Sequence, residues 1–232
     1  STINMFAVFA GLSLGLTGTK YISEFKNKDK QRTGEIISIT KYFAFFSGFL
    51  ISLIVFISAP FLAKHSLNAP HLVNEIRLSS IILFFSALNG MFNGILIGFE
   101  AFKTIAIVNL ICSLIAIPLQ IIMAYYFGIK GFLIGYTFNF FLLSLLYYRS
   151  VNKVLSDEKI TIKFKFKKEN LALLYKFSLP SIISGLLIVP VFWLCNTMLV
   201  RQPQGFEDYA IYNAANQWRM AIIFIPTVLA QV

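Results

Sequence analysis

The 232-residue chain is 57% hydrophobic and 16% aromatic but only 13% charged, with a mean hydropathy of +0.75. A water-soluble domain carries about a quarter charged residues, so a soluble globular protein is excluded. The net charge of +10 would suit nucleic acid, but the basic residues lie between apolar stretches rather than along one folded face, so no nucleic-acid partner is expected.

A helix that crosses a bilayer needs about 20 mostly apolar residues. The first such stretch, near 3–22, carries Gly11 and Gly15 four apart and ends at Lys20. The second covers about 39–63. The third, near 79–99, places Gly90, Gly94 and Gly98 on one face, with Asn89 and Asn93 beside them. The fourth, near 104–127, contains Asn109 and Pro118; the fifth, near 131–148, contains Gly131, Gly135 and Asn139. Small residues at a spacing of four let helices approach closely in lipid, so these glycines read as packing seams. After a gap over 149–177, the sixth stretch spans about 178–200 with Pro190 and Asn196, and the seventh about 210–232 with Pro226. The expected fold is therefore all-α, a polytopic transmembrane helix bundle with about seven spans. Both ends fall inside apolar stretches, with no starting Met and no leader pattern, so the chain reads as a piece of a longer protein.

The cations sort by gap. Fifteen of the Lys and Arg residues lie in or beside the first, third and fifth gaps, and five lie in the others. The positive-inside rule places the fifteen in the cytoplasm. Within the long fifth gap, Ile160, Ile162, Phe164 and Phe166 alternate with Thr161 and lysines, which suggests a short extended run. Leu171 to Phe177 then reads as an amphipathic stretch on the inner surface.

Arg219 is the sharpest feature. It lies deep in the seventh span, where a charge costs roughly 2.5–3.5 kcal/mol and normally faces a cavity or a partner. No Asp or Glu falls within any of the apolar stretches to pair with it. Asn213, Asn216 and Arg219 recur every third residue, with Gln217 and Trp218 adjacent. A guanidinium beside amides suits a phosphate or pyrophosphate. Lys20 is a second candidate cation at the cytoplasmic mouth, and Asn89, Asn93 and Asn196 are candidates to meet sugar hydroxyls, or else to bond between helices. Pro190 and Pro226 remove backbone hydrogen bonds and are the candidate bending points. His65 and His71 stand apart from any carboxylate or thiol, Cys112 and Cys195 lie inside apolar stretches, and no catalytic or metal arrangement is present. Neither an enzyme nor a cofactor is expected.

Four segments resemble a known family. They are Leu179-Pro-Ser-Ile-Ile-Ser-Gly185 with Pro190, Trp193 and Asn196 to Arg201; Tyr212-Asn-Ala-Ala-Asn-Gln-Trp-Arg219 with Ile225-Pro226; Gly15-Leu-Thr-Gly-Thr-Lys-Tyr-Ile-Ser-Glu24; and Gly94 to Lys103. They are similar to the O-antigen-type polysaccharide flippases of the multidrug/oligosaccharidyl-lipid/polysaccharide exporter superfamily. The resemblance implies helices 2 to 8 of a transporter with about twelve helices in two lobes. Residues 1–148 would then belong to the first lobe, 149–177 would form a cytoplasmic basic linker, and 178–232 would begin the second lobe. It further implies alternating-access transfer of polyprenyl-pyrophosphate-linked oligosaccharide across a bacterial inner membrane. Arg219 and Lys20 would contact the pyrophosphate, and membrane lipid and other polysaccharide assembly proteins would be partners. A proton or sodium gradient remains open as the driving force. The alternatives are a cation-coupled multidrug exporter of the same superfamily, a membrane polysaccharide polymerase, and a seven-helix receptor.

Overall fold

The computed structural model describes residues 14–66, 68–162 and 190–229. All regular structure among them is helical, as the composition requires: α1 (Leu14–Phe25), α2 (Lys30–Phe61), α3 (Val73–Gly98), α4 (Phe102–Asp157), α5 (Pro190–Val200) and α6 (Gly205–Leu229). A π-helical turn at Leu62–Ser66 and a 3-10 turn at Pro70–Leu72 connect α2 to α3.

Helix α2 begins well before its apolar stretch. Asp29 caps it, accepting from the Arg32 backbone N–H at 2.9 Å, and the Thr33 hydroxyl donates to the Asp29 carbonyl at 2.9 Å. Residues 33–40 are all buried although half of them are polar, because they sit under α1 and the chain at Ile160 and Thr161. A cap and a buried surround thus extend the helix past the point where hydropathy alone would start it.

The 56-residue helix α4 is a hairpin. At Gly128 the backbone takes φ 59°, ψ −142°, a conformation that suits only glycine. Beyond it the chain runs back along itself. Gly131 meets the Met123 carbonyl, Gly135 meets Gln120, and the Tyr147 hydroxyl donates to Asn109 Oδ1 at 2.9 Å. Gly131 and Gly135 permit this approach. The two arms coincide with the expected fourth and fifth stretches, and the second arm continues as helix to Asp157, into the basic gap.

Pair contacts fix the directions. Gly15 lies against Gly90 and Gly94, the Thr19 hydroxyl donates to the Gly94 carbonyl at 3.0 Å, and Ile22 lies against Gly98, so α1 and α3 run parallel. Gly48 faces Ala87, and the Ser52 hydroxyl donates to the Ser80 carbonyl at 2.7 Å, so α2 is antiparallel to α3. Phe85 against Phe141 and Phe92 against Tyr148 make the second arm of α4 parallel to α3. The expected glycine seam is refined here. A side chain at Gly94 or Gly98 would strike α1, whereas the Cβ direction of Gly90 is open.

These directions gather the basic gaps at one end. Lys26 pairs with Glu100 at 2.8 Å, and Lys30 donates to the Glu158 carbonyl at 2.7 Å. At the other end Lys130 approaches Glu75 at 3.9 Å. Side chains such as Phe46, Ile57 and Leu114 point outward, each about two-thirds exposed. Such a surface is unstable in water and suits hydrocarbon. Lys30–His65, Pro70–Gly98 and Phe102–Asp157 are each long and apolar enough to cross a membrane, and the last folds back on itself. The chain is an all-α, multi-pass membrane bundle. The first part of the first stretch, residues 163–189, and hence the extended and amphipathic runs expected there, lie outside the described residues.

Candidate functional site

Helix α6 carries the candidate cation. Arg219 lies fourteen residues from Gly205, about 21 Å along the helix. It is exposed, and its Nε donates to Asn216 Oδ1 at 3.0 Å. A spacing of three places the two side chains on neighbouring ridges of one face. The bond uses Nε and leaves the guanidinium's terminal nitrogens as further donors. Asn213 and Gln217 are exposed on the same helix. This arrangement can present a charge and several hydrogen-bonding groups to an anionic ligand.

Lys20 sits near the inner end of α1, exposed, with its ammonium 5.3 Å from the centre of the Tyr21 ring. The asparagines divide. Asn89 is buried and donates through Nδ2 to the Phe140 carbonyl at 3.0 Å, which ties α3 to α4. Asn109 accepts from Tyr147 within the hairpin. Asn93 is half-buried, and the side-chain oxygens of Asn89, Asn93 and Asn139 have no partner among the described residues. Asn196 is half-buried on α5. Pro190 is the first described residue of α5, and α6 remains helical through Pro226.

The expected apolar stretches hold no Asp or Glu, but one carboxylate just before the second stretch is buried on a helix. Glu35 belongs to α2, because the Asp29 cap starts that helix early, and it is only 1% exposed. Gln31 Nε2 lies 3.4 Å from its Oε1. Hydropathy assigns this residue to a loop. The cap residue followed by a helix-compatible run was the signal that could have placed it on the helix.

Comparison with known proteins gives the family. The chain matches the family described as "Polysaccharide biosynthesis protein" over residues 1–232. It is 37% identical over 62 residues to the EPS I polysaccharide export inner membrane protein EpsE of Ralstonia nicotianae, covering 27% of this chain and 14% of that protein. The protein of the same name from Ralstonia solanacearum is 39% identical over 62 residues, with the same coverage. The matched segment thus spans a small part of the length of these relatives. No solved structure matches. An all-helical membrane bundle whose match runs from end to end, with the same exporter superfamily already indicated by its motifs, belongs to the polysaccharide biosynthesis protein family.

Proposed function

We propose that this protein belongs to a flippase that carries polyprenyl-pyrophosphate-linked oligosaccharide, an O-antigen or similar repeat unit, across a bacterial inner membrane by alternating access. The observation that carries the reading is Arg219 held by Asn216 on α6, in a chain of the polysaccharide biosynthesis family. The relatives' description as inner-membrane polysaccharide export proteins agrees with it. Arg219 and Lys20 meet the pyrophosphate, while Asn213, Gln217, Asn93 and Asn196 meet sugar hydroxyls. Pro190 and Pro226 let α5 and α6 bend as the cavity changes sides. Residues 1–148 serve in the first lobe, 149–177 link the lobes, and 178–232 begin the second. Transfer between leaflets makes and breaks no covalent bond, so no enzymatic step is assigned. An ion gradient supplies the drive, and neighbouring polysaccharide assembly proteins supply and take the cargo. A cation-coupled multidrug exporter is the second reading, and the buried Glu35 carboxylate is the observation that favours it.

The test is substitution of Arg219 by Ala and by Lys in the full-length protein, in cells whose surface polysaccharide depends on it, at matched membrane levels. A hydrogen bond to a charged group contributes ~1.5–3 kcal/mol, so Arg219→Ala is expected to lower export roughly 10-fold or more, with partial recovery in Arg219→Lys. Unchanged polysaccharide in the Ala variant refutes the role of Arg219.

A further inference from the structure

Helices α2, α3 and the second arm of α4 enclose a cavity of about 570 Å³ that the proposed function does not use. Its walls include Ser38, Lys41, Tyr42, Phe45, Leu88 and Phe92. Tyr42 and Phe45 are 59% and 55% exposed, so among the described residues the cavity is open at one side. A second cavity of about 220 Å³ shares Leu88, Phe92 and Tyr148 with it and extends the trough to Phe85 and Phe141. Because α3 runs toward the basic end, Phe85 lies nearer the membrane centre than Phe92. The trough therefore leads from the basic end toward the midplane.

Lys41 is the one charged residue lining either cavity among the described residues. It is half-buried, with its ammonium 5.8 Å from the centre of the Tyr148 ring. Its depth is fixed by geometry. Phe61 ends α2 twenty residues further on, about 30 Å away, which is the thickness of the hydrocarbon core. An ammonium at that level stands where the phosphates of the basic-side leaflet lie.

We propose that this trough is a binding site for an anionic phospholipid of the inner leaflet, with the lipid phosphate on Lys41 and one acyl chain along Phe45, Leu88 and Phe85. A cation at one end of an apolar channel matches the two ends of such a lipid, and the open side lets it enter from the bilayer. A zwitterionic lipid would bring a positive group against Lys41 and bind less well. This site is separate from Arg219 and does not depend on the transport reading.

The experiment uses the full-length protein in phosphatidylcholine nanodiscs containing phosphatidylglycerol with a photoactivatable acyl chain, and adducts are mapped by mass spectrometry. Adducts are expected to concentrate on Tyr42, Phe45, Leu88 and Phe92. They should fall about 5-fold or more in Lys41→Gln and persist in Lys41→Arg and in the control Lys103→Gln, a basic residue at the same end outside the trough. Equal labelling by photoactivatable phosphatidylcholine, or no change in Lys41→Gln, overturns the proposal. So does removal of the adducts by an equimolar amount of unlabelled polyprenyl phosphate, which would assign the trough to the cargo. Absence of adducts in the trough while other lipid-facing residues are labelled overturns it as well.

Discussion

Two polar contacts show how differently single residues are used. Arg219 and Asn216 are three residues apart on one helix, so their bond directs the guanidinium without tying α6 to another helix. Tyr147 and Asn109 join the two arms of α4, and their bond serves packing. Interhelical hydrogen bonds in membranes contribute only about 0.6 kcal/mol on average. Tyr147→Phe is therefore expected to lower stability by roughly that amount in mixed-micelle unfolding, with export unchanged. At the basic end, Glu100 takes a left-handed backbone (φ 60°) just past the C-terminus of α3. The N–H of Ala101 reaches the Leu96 carbonyl at 2.9 Å, so the helix ends as a glycine-closed helix would, but with a carboxylate placed to meet Lys26. Sequence alone singled out Arg219, because an arginine within an apolar run is conspicuous in one dimension. It did not single out Glu35, whose burial depends on where the helix begins and on what covers it.

Glycines decide how the elements meet. A Cβ at Gly94 would fall on the Gly15 backbone, and one at Gly98 would lie 2.8 Å from Ile22 Cβ, while one at Gly90 meets nothing within 4 Å. Gly94→Leu is expected to destabilise the protein by about 1–3 kcal/mol or more through overpacking, and Gly90→Ala to leave it within about 0.5 kcal/mol. Thermal inactivation in detergent of the two variants checks the contrast. The spacing of four was legible in the sequence and correctly announced a seam. Which of the three turn their Cβ direction toward the neighbour was not legible, because it depends on the rotation of α3 relative to α1. The hairpin in α4 was half legible. Two apolar stretches separated by Gly128-Ile-Lys130 imply a turn, but only the positive φ at Gly128 and the contacts across the arms show how tight it is.

The whole molecule has two chemically different ends. Ion pairs Lys26 to Glu100 and Lys30 to Glu158 draw the first, third and fifth gaps together, and Lys130 with Glu75 does so at the opposite end. In spheroplasts, single cysteines replacing Lys103 and Asp157 are therefore expected to react with a membrane-impermeant maleimide only after permeabilisation. Cysteines replacing His71 and Lys130 should react before it. The reverse pattern would invert the topology and move the Lys41 trough to the other leaflet.

The sequence by itself determined the class, the positions of the second to fifth apolar stretches, the sorting of charge between the two ends and the family resemblance. Each of these follows from composition and spacing, because a bilayer enforces long apolar helices and a charge bias that local sequence records directly. Tertiary structure decided which asparagines are consumed between helices, that Glu35 is enclosed, and that Lys41 stands at the head of an apolar trough between α2, α3 and α4. Those outcomes depend on how helices rotate and cross. In lipid every outward face is apolar, so hydropathy does not distinguish a side chain that meets a neighbouring helix from one that meets the membrane.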